Sequence, residues 1–70
     1  PNPANDLLTI NSNTTMNQIT MINSLGQVVL NVEPNTNFYQ ININTLPEGI
    51  YTARITTNNG LSTKLIVVAH

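Results

Sequence analysis

The sequence has no cysteine and no tryptophan, a single histidine, and few charges of either sign. Without cysteine there is no disulfide scaffold, no cysteine-ligated zinc and no thiol nucleophile. The compartment stays open, because a cysteine-free domain can work anywhere. His70 is the final residue, and one imidazole cannot build a zinc site unaided. Charged residues make up 7% of the chain, against about 25% in an average soluble domain. With Arg54 and Lys64 as the two cations and a net charge of −1, there is no electrostatic footprint for nucleic acid or anionic lipid. The longest apolar run, Leu65 to Ala69, is far short of the ~20 residues a membrane helix requires, so no membrane insertion is expected.

Catalytic groupings are also missing. The acids Asp6, Glu33 and Glu48 fall in three separate expected loops, whereas acid–base work needs groups of tuned acidity brought together. There is no glycine-rich phosphate loop, no Gly-x-Ser-x-Gly elbow and no aspartate-rich calcium loop. Phe38, Tyr39 and Tyr51 are too few and too scattered for a stacking platform. Of these, Phe38 is the expected exposed ring. The residues therefore argue against an enzyme and supply no cofactor or metal site.

What remains is a 70-residue chain rich in Asn, Thr, Ser and Gln, punctuated by turn signals. That length allows one domain of marginal stability. The chain starts at Pro1 with no charged-then-apolar leader and reads as a piece of a longer protein. Residues 1–6 form a lead-in in which Pro1 and Pro3 oppose a paired strand and Asn5-Asp6 favours a turn.

Six strands are expected after it. The first, Leu7–Asn11, puts Leu8 and Ile10 on one face. Ser12–Asn17 reads as a solvated loop, and its glycosylation-type tripeptide Asn13-Thr14-Thr15 as a chance match. Gln18–Asn23 and Val28–Val32 are strands joined tightly through Gly26. Ile19 and Met21 share a face, as do Val28, Leu30 and Val32. After a loop at Glu33–Asn37, the strand Phe38–Asn44 alternates cleanly, with Tyr39, Ile41 and Ile43 inward.

A turn at Pro47 and Gly49 leads into the fifth strand, running to Thr57, with Tyr51, Ala53 and Ile55 on one face. Asn58-Asn59-Gly60 closes the last hairpin, and Asn59-Gly60 favours a two-residue type I′ turn. That register sets Ile66 opposite Ala53, Val68 opposite Tyr51 and Lys64 beside Ile55. A three-residue turn would turn Leu65 and Val67 inward and set Arg54 against Lys64, which like charge disfavours. Either way Leu61–Val68 has more apolar surface than a lone sandwich needs. No helical period of useful length is present. Short strands divided by turns fit an antiparallel β-sandwich or small barrel. Leu46-x-x-Gly49-x-Tyr51 has the spacing of the tyrosine corner of Greek-key sandwiches, the alternative being a Tyr that merely faces the core.

Four blocks resemble one family in order and spacing. Pro1-Asn2-Pro3-Ala4-Asn5-Asp6-x-Leu8-Thr9-Ile10 resembles the opening motif of the C-terminal sorting domains of the type IX (Por) secretion system of Bacteroidetes. Ile22 to Val29 resembles the family's central hairpin, and Leu46-Pro47-Glu48-Gly49-Ile50-Tyr51 its Leu-x-x-Gly-x-Tyr block. Lys64-Leu65-Ile66-Val67-Val68 resembles the closing strand.

The resemblance covers essentially the whole chain. It implies one sorting domain over 1–70, an immunoglobulin-like Greek-key β-sandwich of about six to seven short strands spanning 7–69. It implies a non-catalytic label at the C-terminus of a covalently linked cargo. That cargo would pass through the periplasm and outer membrane to the cell surface or beyond. Its partners would be the secretion machinery: an outer-membrane translocon, a shuttle, and a sortase-like peptidase that usually removes the label. Matched recognition positions are Pro1, Asn2, Pro3, Ala4, Lys64, Leu65, Ile66, Val67 and Val68, while Gly26, Leu46, Gly49 and Tyr51 read as architectural. The competing expectation is a fibronectin-like surface binding or spacer module that stays in the mature protein.

Overall fold

A computed structural model describes residues 7–69. The lead-in positions Pro1, Asn2, Pro3 and Ala4 lie outside the described residues. The fold is all-β, with β1 (Leu7–Ile22), β2 (Val28–Val32), β3 (Thr36–Asn42), β4 (Gly49–Thr57) and β5 (Gly60–Val68). Every pairing is antiparallel.

Five strands replace the expected six because Leu7–Asn11 and all but the last residue of Gln18–Asn23 belong to one long strand, β1, which ends at Ile22. The C-terminal part of β1 lies between β2 and β4, giving the order β2-β1-β4-β5. Its N-terminal part pairs with β3 alone, Leu7 with Asn42 through Asn11 with Phe38. The ladder then jumps from Asn11↔Phe38 to Met16↔Thr36. Residues 12 to 15 of β1 thus stand opposite Asn37 alone. An excess of this sort bends a strand and adds to its twist. The polar stretch expected as a loop is instead a corner inside a strand. Its residues alternate between exposed and half-buried, so Ser, Asn and Thr side chains can stay solvated while the backbone continues. Met16 anchors the corner. It is fully buried, and its carbonyl accepts from the Asn35 N–H at 3.0 Å.

β1 therefore serves two layers. One buried cluster contains Ile10 and Ile41 from the β1–β3 pair together with Ile19, Met21, Tyr51, Ala53, Ile55, Ile66 and Val68 of the four-stranded sheet. The Cα trace is 15 Å across its thinnest direction, which is compatible with two layers packed about 10 Å apart, as in a small sandwich. The inward faces follow the alternation: Ile19 with Met21, Tyr39 with Ile41 and Ile43, and Tyr51 with Ala53 and Ile55 all turn to the core. No polar or charged residue is buried among the described residues.

The last hairpin pairs Thr57 with Gly60, Ala53 with Lys64, Tyr51 with Ile66 and Gly49 with Val68. The two loop residues are Asn58 and Asn59, one step earlier than the type I′ reading placed them. Consequently Lys64 lies opposite Ala53 rather than beside Ile55, and Ile66 opposite Tyr51 rather than Ala53. A type I′ turn needs positive φ at both central residues. Here the positive φ, 126°, falls on Gly60, and neither Asn58 nor Asn59 has one. Glycine takes that conformation at little cost. Thr57 Oγ1 fixes the turn by accepting from the Asn59 N–H at 3.1 Å. The two-step shift keeps side-chain parity, so Ile66 and Val68 still face inward.

Candidate functional site: the outer face and free edge of the last strand

Tyr51 settles the corner first, since it holds the start of β4. Its hydroxyl donates to the Pro47 carbonyl at 2.6 Å, with the ring buried at 4% exposure. This is the tyrosine-corner arrangement. Leu46 packs against the core, and its N–H donates to the Ile43 carbonyl at 3.0 Å. Gly26 closes the β1–β2 turn with φ of 85° and donates its N–H to the Asn23 carbonyl at 3.0 Å. Side chains of Asn23, Leu25 and the Pro47–Tyr51 segment line one groove of about 310 Å³. The second and third motif blocks, distant in sequence, therefore meet at one end of the molecule.

Asn23 is the turn residue that sequence reasoning missed. Its Oδ1 accepts from the N–H groups of Leu25 at 3.0 Å and Gln27 at 2.9 Å. Its Nδ2 donates to Gln27 Oε1 at 3.0 Å. An Asn two residues before the turn's centre was the available signal, because Asn side chains bond their own backbone two residues on.

β5 splits the closing block between two faces. Ile66 and Val68 point inward and are buried, at 9% and 1% exposure, so their side chains serve the core. Leu65 and Val67 point outward at 70% and 66% exposure. Lys64 is exposed and shares the inward parity of Ile66, so it does not stand beside Leu65 on the outer face.

Ladder pairing sets Ile50 opposite Val67, Thr52 opposite Leu65, and Ile22 opposite both Thr52 and Val28. The outer face thus has an apolar end, in which Ile50, Leu65, Val67 and Val28 are all exposed. Its other end is polar: Gln18 Nε2 and Thr20 Oγ1 donate to Asn31 Oδ1 at 2.9 and 3.4 Å, and the exposed Arg54 stands opposite Thr20 and Thr63. Arg54 apart, amides and hydroxyls occupy the positions that charges would hold in a commoner surface. β5 pairs only with β4 among the described residues, which leaves a nine-residue strand with a free edge. Phe38, the aromatic expected outside, is exposed on β3.

No group of His, Cys, Asp and Glu able to hold a metal ion exists among the described residues. No helix there is long and apolar enough to cross a membrane. The arrangement offers surface for docking.

A family model described as a secretion system C-terminal sorting domain matches residues 1–69. Neither a curated protein nor a solved structure matches the chain.

Proposed function

The chain belongs to the secretion system C-terminal sorting domains, and from that premise we propose that it is a removable address label read through the outer face of β5. Membership makes it a sorting signal for type IX secretion, in a family that is not an enzyme family. It also implies a covalently attached cargo, contact with the type IX machinery, and export to the cell surface or outside.

In this proposal the folded cargo is delivered to an outer-membrane translocon, with a shuttle and a sortase-like peptidase acting on the label. Cleavage upstream of or near the start of the domain frees the cargo for release or surface attachment. Pro1 to Ala4 would then be recognised at the approach to the domain. Leu65 and Val67, with Lys64 from the neighbouring face, would be recognised on the last strand.

The observation that carries the reading is the exposure of Leu65 and Val67 beside Ile50 and Val28, a group of outward apolar side chains at one end of the outer face. Outward apolar side chains at the free edge of a sheet add little to folding and mark a place of contact. The test replaces Leu65 and Val67 together by Thr in a cargo fusion carrying an export signal to the periplasm. Thr keeps the β-branched preference for a strand. Periplasmic retention of a folded, protease-resistant fusion is expected. Normal appearance outside the cell would remove the outer face from the mechanism. Finding the domain still attached to the mature cargo would favour the binding or spacer module instead.

A further inference from the structure

The two layers are unequal. Four strands form one and only β3 with the N-terminal part of β1 forms the other. Over Leu7–Asn11, β1 pairs with β3 on one side and with nothing on the other among the described residues.

Along that free side runs a groove. One part, about 320 Å³, is lined by Leu8 to Asn11 of β1 and Lys64 to Ile66 of β5, floored by Ala53 and Ile55. A second part, about 230 Å³, continues from Asn11 to Thr14 over Thr57 and Ser62. Asn11, Ile55 and Lys64 line both parts, so the two form one channel. Consecutive residues of β1 line it, which means the strand presents its edge there and not one of its faces. Leu8 to Asn11, ahead of the corner, span roughly 10 Å at about 3.3 Å per residue. The channel is apolar near Ile10 and Ile66 and becomes hydroxyl- and amide-lined near Thr14 and Ser62. Lys64 stands where the two parts join, and its ammonium has no ion-pair partner among the described residues.

We propose that this channel accepts an extended polypeptide segment from a partner, which pairs with the free edge of β1 at Leu8–Asn11 and adds a third strand to the smaller layer. Backbone hydrogen bonds to an exposed strand edge supply affinity, and side chains alternating into the groove supply selectivity. Three chemical features define the segment. Apolar side chains lie over Ile10 and Ile66. A carboxylate faces Lys64. Small hydroxyl or amide side chains lie over Ser62. Proline is excluded from the paired positions because it has no N–H to donate. The channel borders the outer patch at Leu65 but does not include Val67 or Ile50, and it rests on the free edge of β1, so this inference goes beyond the label reading and does not depend on it.

The probe is the synthetic peptide acetyl-Ile-Thr-Ile-Thr-Asp-Thr-Thr-amide, titrated into the intact 70-residue chain and followed by amide NMR and hydrogen exchange. Shifts should concentrate at Leu8–Thr14 and at Lys64, with new exchange protection among Leu8–Asn11. Lys64→Gln should weaken this peptide about fivefold, the size of a partly screened ion pair. The same substitution should leave a peptide with Asn in place of Asp unchanged. A peptide with proline at its centre should not bind. The Val67→Thr chain, altered on the outer face away from the channel lining, should bind normally. Three results would overturn the proposal: no shifts at millimolar peptide, shifts confined to the outer face, or Leu8–Asn11 amides already protected without peptide. The last would mean that the chain's own lead-in holds that edge.

Discussion

Adjacent residues on β5 should answer substitution in opposite ways. Ile66→Ala removes a side chain that is 9% exposed and packed in the shared core. Truncating a buried Ile to Ala costs ~2–5 kcal/mol, and a position near the sheet edge, where neighbours can close in, sits toward ~2–3 kcal/mol. A domain of 70 residues has a total stability of roughly 3.5–10 kcal/mol at about 0.05–0.15 kcal/mol per residue. That one change therefore consumes a large part of the folding free energy.

The paired change Leu65→Thr and Val67→Thr is different. These side chains remain 70% and 66% exposed in the folded state. Folding removes only about a third of each from water, and full burial is worth ~1.5–3 kcal/mol per side chain. Losing both contributions outright would cost about 1–2 kcal/mol, and because Thr keeps part of each side chain and suits a strand, the double change should cost about 1 kcal/mol. Urea denaturation measures both, and an unchanged slope would show that the midpoint shift reports stability alone. In the export assay the order reverses. The outer double variant stays folded but is retained, whereas any loss in Ile66→Ala follows its unfolding. If the outer variant were as destabilised as Ile66→Ala, Leu65 and Val67 could not face solvent, and the inward facing of Ile66 and Val68 would be wrong as well.

Other substitutions test the joints of the fold. Tyr51→Phe removes the 2.6 Å bond to the Pro47 carbonyl and should cost about 1 kcal/mol, read as a melting temperature lower by about 4–8 °C. A change under 1 °C would mean that the hydroxyl is dispensable. Asn23→Ala strips two backbone N–H groups of their acceptor. A loss of about 1 kcal/mol is expected, near the low end for buried groups because water can reach this exposed turn. Gly60→Ala forces a Cβ onto a residue with φ of 126° and should destabilise by about 1 kcal/mol or more, although nothing lies within 4 Å of the added atom. Asn59→Gly should be tolerated there within about 0.5 kcal/mol. The reverse order at these two positions would restore the type I′ turn.

Much of this architecture is legible in the residues. Alternation at Ile19 and Met21, at Tyr39 to Ile43 and at Tyr51 to Ile55 reveals the inward faces, because a strand's side chains repeat every two residues whatever its partner. The strand Val28–Val32 has the bounds its flanking turn signals suggest. Tyr51 and its spacing from Leu46 anticipate the corner.

The union of two expected strands into β1 is not legible. Ser12 to Thr15 has the composition of a loop, and a bend inside a strand asks for the same solvated side chains. Only the ladder with β3 on both sides of the bend, Asn11 with Phe38 and Met16 with Thr36, and the burial of Met16 distinguish them, and both are tertiary. The register of the last hairpin turns on which residue carries the positive φ. Two asparagines followed by a glycine suit two different turns, and the choice lies with the ladder and Thr57. For the docking surface, sequence reasoning found the apolar excess of the last strand. Alternation already separates Lys64 from Leu65, and the observed pairing decides that Leu65 is the one on the outer face.

Sorting itself is tested most directly by whether the chain sends a cargo out by the type IX route. A fluorescent protein with an ordinary export signal, joined ahead of residues 1–70, would be compared in a host with a working type IX translocon and in the same host without it. Fluorescence at the cell surface or in the medium of the first, with retention in the periplasm of the second, is the predicted result. Equal export from both hosts, or retention in both, would contradict it.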